Sequence, residues 1–96
     1  MPFGIRRTEA AVAQMAALEK SDPVRHKKVL KTLGLLGQNP RHQSLQTHPY
    51  HSLAGPNGQK VFEAYVENRT PAAFRVFWYY GPAQDEITVI AVTAHP

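Results

Sequence analysis

The chain has 96 residues, 43% of them hydrophobic, and no cysteine. That is enough for one domain with a single modest core, and it excludes disorder, a disulfide framework, a thiol nucleophile and a thiolate zinc site. The net charge of +4 is unevenly spread: residues 1–48 carry eight Lys/Arg against three Asp/Glu, and residues 49–96 carry three against four. A basic half suits a polyanion or an acidic protein, and equally an ordinary solvated helix face. No apolar run approaches the roughly 18 residues that a membrane helix needs, and residues 1–7 have no apolar h-region. The expectation is a cytoplasmic domain with no membrane contact.

Residues 3–7 alternate Phe3 and Ile5 with Gly4 and Arg6, the pattern of a short first strand. Thr8 is placed to cap a helix beginning at Glu9, whose carboxylate suits a helix N-terminus. Residues 10–20 are alanine-rich, with Val12, Met15 and Ala16 at helical spacing. Ser21-Asp22-Pro23 stops that helix and starts another, because proline is favoured at the first helical position. Over 24–36, Val29, Leu30, Leu33 and Leu36 form one stripe, and Gly34 or Gly37 ends it before Pro40. The two helices with their tight link predict an αα-hairpin.

Residues 38–60 hold Asn39-Pro40, Gly55-Pro56 and Asn57-Gly58 and few large apolar side chains, so a long loop is expected. Three strand patterns follow, at 61–67, 74–80 and 87–93, separated by turn chemistry at 68–71 and 81–85. Short connections predict a three-stranded antiparallel meander. On its middle strand Phe74, Val76, Trp78 and Tyr80 share one face and Arg75, Phe77 and Tyr79 the other. One face must pack on the hairpin. The other carries too much apolar surface to stay wet and is a candidate contact surface. The fold class is α+β: an N-terminal strand, an αα-hairpin, then the meander, as one domain over 1–96.

Ala73-Phe74-Arg75-Val76-Phe77-Trp78-Tyr79 resembles the aromatic-Arg-apolar strand of the RelE/ParE toxin superfamily. Gly37-Gln38-Asn39-Pro40 resembles the end of that family's second helix, and Ile87-Thr88-Val89-Ile90-Ala91-Val92-Thr93-Ala94-His95 its last strand. The resemblance implies the toxin of a bacterial type II toxin–antitoxin pair, held inactive by a cognate antitoxin. Many such toxins enter the ribosome and cut mRNA with no metal or other cofactor, by attack of a 2′-hydroxyl on the adjacent phosphate. A divergent branch poisons DNA gyrase instead, so a non-catalytic binding protein or an inactive remnant is the alternative.

By the same resemblance Arg75 matches the arginine that contacts the scissile phosphate, a task suited to its charged fork. His95 matches the near-terminal histidine proposed as general acid in the YoeB-like branch, and imidazole suits proton transfer near neutral pH. The chain departs from the family elsewhere. The strand before Arg75 is acidic, with Glu63 and Glu67, where RelE-type relatives carry a lysine pair, and no tyrosine follows the last strand. The carboxylate base of the YoeB-like branch would fall near Tyr50 or His51. The base is therefore left among His51, Glu63 and Glu67.

Each residue also has a plainer role. Arg75 suits an ion pair with Glu63 or Glu67 on the neighbouring strand, and His95 a frayed terminus. Phe77 and Tyr79 suit stacking on unpaired bases, or packing under an antitoxin or the long loop. Lys27, Lys28 and Lys31, with Arg25, could grip RNA phosphates or form a polar helix face. His48 and His51 are three apart, a spacing that would suit a metal on a helix, but Pro49 and the lack of an acidic neighbour oppose it.

Overall fold

The structure, a computed structural model, describes residues 2–68 and 70–95. Met1, Pro96 and Arg69, the last within an expected turn, lie outside the described residues. The elements run β1 (Gly4–Arg7), α1 (Glu9–Ser21), α2 (Pro23–Gln38), a single 3-10 turn (Gln43–Leu45), β2 (His48–Ala54), β3 (Lys60–Tyr65), β4 (Phe74–Tyr80) and β5 (Glu86–Ala94). The strands form one mixed sheet in the order β1-β5-β4-β3-β2. β1 runs parallel to β5, and every other pair is antiparallel.

Both helix starts follow the sequence signals. The Thr8 side chain accepts a hydrogen bond from the Ala11 N–H at 3.2 Å, and Asp22 accepts one from the Arg25 N–H at 3.1 Å. Asp22 also closes α1, through its own N–H on the Leu18 carbonyl, so one residue serves two helix ends. α2 runs on past Gly34 and Gly37 to Gln38, and Asn39 closes it. Gly37 serves closeness instead: its carbonyl accepts from the Phe3 N–H, and a Cβ there would lie 3.3 Å from the Phe3 carbonyl oxygen.

Both helices cover one face of the sheet. Ala11, Met15 and Leu18 of α1 and Val29, Leu33 and Leu36 of α2 meet Phe62, Ala64, Val76, Trp78, Ile87, Val89 and Val92 in one core. Trp78 is fully buried, with its ring stacked on Phe62 at 5.0 Å. β5 carries an irregularity opposite Phe77 and Trp78, which pair with Ala91 and Val89 and leave Ile90 as the extra residue. The Thr8 hydroxyl donates to the freed Ile90 carbonyl, and the Gln14 side-chain oxygen accepts from the Val92 N–H at 2.7 Å. α1 is thus stitched to the strand whose ladder is interrupted.

The long loop expected over 38–60 is corrected: residues 48–54 of it form β2, an added edge strand that extends the meander to four antiparallel strands. β2 did not read as a strand because an edge strand needs one neighbour only, tolerates proline, and here shows mostly polar or small residues to water. Pro49 pairs with Phe62 all the same, and Tyr50 lays its ring against Phe77 at 4.8 Å.

Candidate functional site

The helix-free face of the sheet holds the chemistry. β3 places Glu63 opposite Phe77 of β4 and opposite His48 of β2. The Glu63 side chain is 1% exposed, yet three cationic or protonatable groups converge on it. His48 Nε2 lies 2.7 Å from Oε1 and His95 Nε2 3.3 Å from Oε2. Arg75 Nε faces Oε2 at 3.7 Å, too long for a hydrogen bond, and neither of those two atoms makes one elsewhere among the described residues. A carboxylate this deep is stable only because it is surrounded by such partners.

Arg75 is itself buried, at 7% exposure. Its Nη1 donates to the carbonyls of Glu67 at 2.7 Å and Phe74 at 3.1 Å, and its guanidinium lies 3.8 Å over the Tyr65 ring. The edge of Tyr65 also meets the His48 ring, with 5.8 Å between centroids. Four strands therefore supply one cluster: His48 from β2, Glu63 and Tyr65 from β3, Arg75 from β4, and His95 one residue past β5, where its N–H donates to the Ala73 carbonyl at 2.9 Å.

The structure brings Glu63, Arg75 and His95 together and leaves His51 out. His51 is exposed, and its odd spacing from His48 turns it to the other side of the strand; among the described residues no hydrogen bond or ion pair joins it to Glu63. Phe77 and Tyr79 are not open stacking platforms, at 2% and 7% exposure. Tyr50 of the added strand covers Phe77, and Tyr79 lies opposite Thr88 on β5. The apolar load of this face is thus met within the chain.

Of the basic residues on α2, Lys27, Lys28 and Lys31 are exposed, but Lys28 is engaged. Its Nζ lies 3.3 Å from Glu67, beside Arg25 Nε at 2.9 Å, and the Phe74 N–H donates to the same carboxylate at 3.2 Å. Burial alone would raise the Glu67 pKa; the Phe74 N–H, Lys28 and Arg25 outweigh it and hold the group below its ordinary 4.5. Glu67 thereby ties α2 to the start of β4 and is not part of the Glu63 cluster. Lys31 and Lys28 rim a cavity of about 160 Å³ that reaches Ser44 and Tyr65.

His48 is the residue the sequence did not single out for this cluster. Its only signal was the cross-strand register to Glu63, which exists once β2 is recognised as a strand.

No family model and no curated protein matches the chain. Solved structures do. A YoeB/ParE toxin from Agrobacterium tumefaciens superposes with a TM-score of 0.73 at 12% identity, covering 98% of this chain and all of that one. A RelE–RelB complex from Pyrococcus horikoshii gives 0.67 at 14% identity, over 98% and 96% of the two chains. A RelBE toxin–antitoxin complex from Mycobacterium tuberculosis gives 0.65 at 18% identity, over 99% and 100%. With its mixed five-stranded sheet backed by two helices, the chain has the RelE/ParE toxin fold over its full length.

Proposed function

We propose that the chain is the toxin of a type II toxin–antitoxin pair and cuts mRNA at the ribosome without a metal. The observation that carries this is the convergence of two imidazoles and a guanidinium on the buried Glu63 carboxylate, on the sheet face that the helices leave uncovered. Cleavage by a 2′-hydroxyl needs a group to take its proton, positive charge for the phosphate, and an acid for the departing 5′-oxygen. The cluster holds all three kinds of group. Arg75 supplies the fixed positive charge, His95 protonates the 5′-oxygen, and proton removal centres on Glu63. A partner antitoxin belongs to the same proposal, and what supports it is that two of the similar structures are a RelE–RelB and a toxin–antitoxin complex.

The test is to add purified protein to a translating extract and map the mRNA ends by primer extension. Cuts inside the reading frame that depend on translation, and that fall by roughly 10² to 10⁴ in His95→Gln, are the expected result. Intact mRNA beside a toxic protein would refute it. A second function is favoured by one observation, the burial of both Glu63 and Arg75. Under it the cluster is an internal ion-pair network of a non-catalytic protein with the toxin fold, either a gyrase poison of the ParE kind or an inactive remnant. Inhibition of DNA supercoiling by gyrase, with mRNA left whole, would select the first of these.

A further inference from the structure

We propose that the cavity between α2 and the 3-10 turn is a phosphate subsite for the RNA strand, in which Lys31, with Lys28 and Ser44, holds a backbone phosphate flanking the one to be cut; the inference rests on the cleavage function above. Charge is the first observation. α2 carries Arg25, Lys27, Lys28 and Lys31 and not one carboxylate between Pro23 and Gln38. Glu67 reaches across to Arg25 and Lys28, and Asp22 lies beside Arg25. Among the described residues no ion pair or hydrogen bond engages the side chain of Lys27 or Lys31. These two stand one helical turn apart, a spacing at which like charges repel, and an anion beside Lys31 relieves the repulsion.

Size and donors are the second. The cavity measures about 160 Å³, well under the roughly 300 Å³ at which pockets begin to take drug-sized ligands, so it suits a group of a few atoms. Leu45 and Thr32 in its lining are buried. An anion seated there gives up part of its water and feels the ammonium charges more strongly than on an open surface. The Thr32 hydroxyl is spent on the Lys28 carbonyl at 2.9 Å. Ser44 is freer. Its N–H donates to His42 Nδ1 at 3.2 Å, so that nitrogen is bare, and the Ser44 hydroxyl, 2.7 Å away, rests its hydrogen there. A hydroxyl rotates, and a phosphate oxygen in the cavity offers it a charged acceptor instead. Lys28 keeps two N–H donors beyond the one on Glu67, and Lys31 keeps all three.

Tyr65 joins the cavity to the Glu63 cluster. It lines the cavity, and its ring lies under the Arg75 guanidinium at 3.8 Å and against the His48 ring. One residue thus borders both. An RNA strand with its scissile phosphate at the cluster carries a flanking phosphate past Tyr65 toward Lys31. Lys31 touches no reacting atom. It fixes the position of the strand, as phosphate contacts do, and its effect belongs to binding and not to the chemical step.

The experiment measures binding of a short fluorescent single-stranded 2′-O-methyl RNA, which has no 2′-hydroxyl to attack with, across a salt series. The proteins are wild type, Lys31→Gln, Lys31→Arg and Lys20→Gln, with thermal unfolding of each; Lys20, at the end of α1, is a lysine outside the cavity lining. Lys31→Gln is expected to weaken binding about tenfold and to flatten the log–log salt slope by about 0.7, the share of one single-strand phosphate. Lys31→Arg should stay within about threefold of wild type, and Lys20→Gln within about twofold with its slope unchanged. Equal losses in Lys31→Gln and Lys20→Gln would show diffuse attraction and overturn the subsite. So would a folded Lys31→Gln that binds like wild type, or a wild type that does not hold the probe even at low salt. Inorganic phosphate is titrated in parallel by amide NMR. Shifts at Lys31 and Ser44, with RNA affinity unchanged in Lys31→Gln, would give the cavity to free phosphate and overturn its role toward RNA. A wild type that leaves mRNA whole in the translating extract overturns the cleavage function instead.

Discussion

At Glu63 a side chain that water barely reaches is surrounded by Arg75, His48 and His95, and this makes Arg75 structural as well as chemical. Deleting one partner of a buried ion pair strands the other, at about 3–5 kcal/mol. Arg75→Ala is therefore expected to lower stability in urea unfolding as well as abolish cleavage. Arg75→Lys should recover only part of either, because lysine lacks the fork that reaches the Glu67 and Phe74 carbonyls. An Arg75→Ala variant as stable as wild type would remove the network role. Glu67 makes a separate prediction about pH. Its folded pKa lies below the ordinary 4.5, so the unfolded chain binds its proton first as pH falls. The stabilisation is complete above about 4.5 and is lost as pH drops through the lowered folded value. Glu67→Gln should be less stable than wild type near neutrality, with the gap closing in acid; parallel pH curves for the two proteins would contradict this. At this scale the sequence was informative about types and less so about pairing. Strand alternation put Arg75 within reach of Glu63 and Glu67, and the structure divides the contacts, Nε toward the Glu63 carboxylate and Nη1 on the Glu67 backbone. His48 stayed hidden because its partner lies 15 positions away across a strand pair.

The elements that were legible are those whose signals are local. Thr8, and Asp22 followed by Pro23, announced both helices through capping chemistry that acts over three residues. The apolar runs of β4 and β5 reflect strands buried in the middle of a sheet. β2 lacked any such signal, since its existence depends on the exposed edge of β3 and not on its own composition. The same contrast applies to Gly37, read as a helix stop when its role is contact with the Phe3 backbone, a tertiary fact. Asp22 gives the test at this scale. It accepts from the Arg25 N–H, lies 3.6 Å from the Arg25 guanidinium, and its own N–H closes α1. Asp22→Ala removes the cap and keeps the backbone bond, so it should cost about 1 kcal/mol, read as a lower urea midpoint at unchanged slope. Asp22→Asn should retain most of that stability. Equal losses in the two would show that the charge toward Arg25, and not the cap, carries the effect.

Across the whole molecule the sheet divides labour between its faces. The face under α1 and α2 carries the core, and the opposite face carries the Glu63 cluster. Leu36 and His95 stand for the two sides. Leu36 is fully buried in the core, and Leu36→Ala should cost about 2–5 kcal/mol through lost burial and the cavity left behind. His95 is an exposed residue just past the last strand whose ring reaches Glu63, and His95→Gln, whose amide can still donate to that carboxylate, should cost no more than about 1.5 kcal/mol, the upper range for one hydrogen bond, while the cleavage rate falls. Because the two residues lie on opposite faces of the sheet, their stability effects should add to within about 0.5 kcal/mol in the double variant. Cleavage by folded Leu36→Ala, assayed well below its unfolding midpoint, should remain close to wild type. A coupling of about 1 kcal/mol or more, or a large rate loss in folded Leu36→Ala, would mean that the sheet transmits core packing to the cluster, through β3 and β4, which carry residues of both, or through β5, which carries core residues and leads directly into His95.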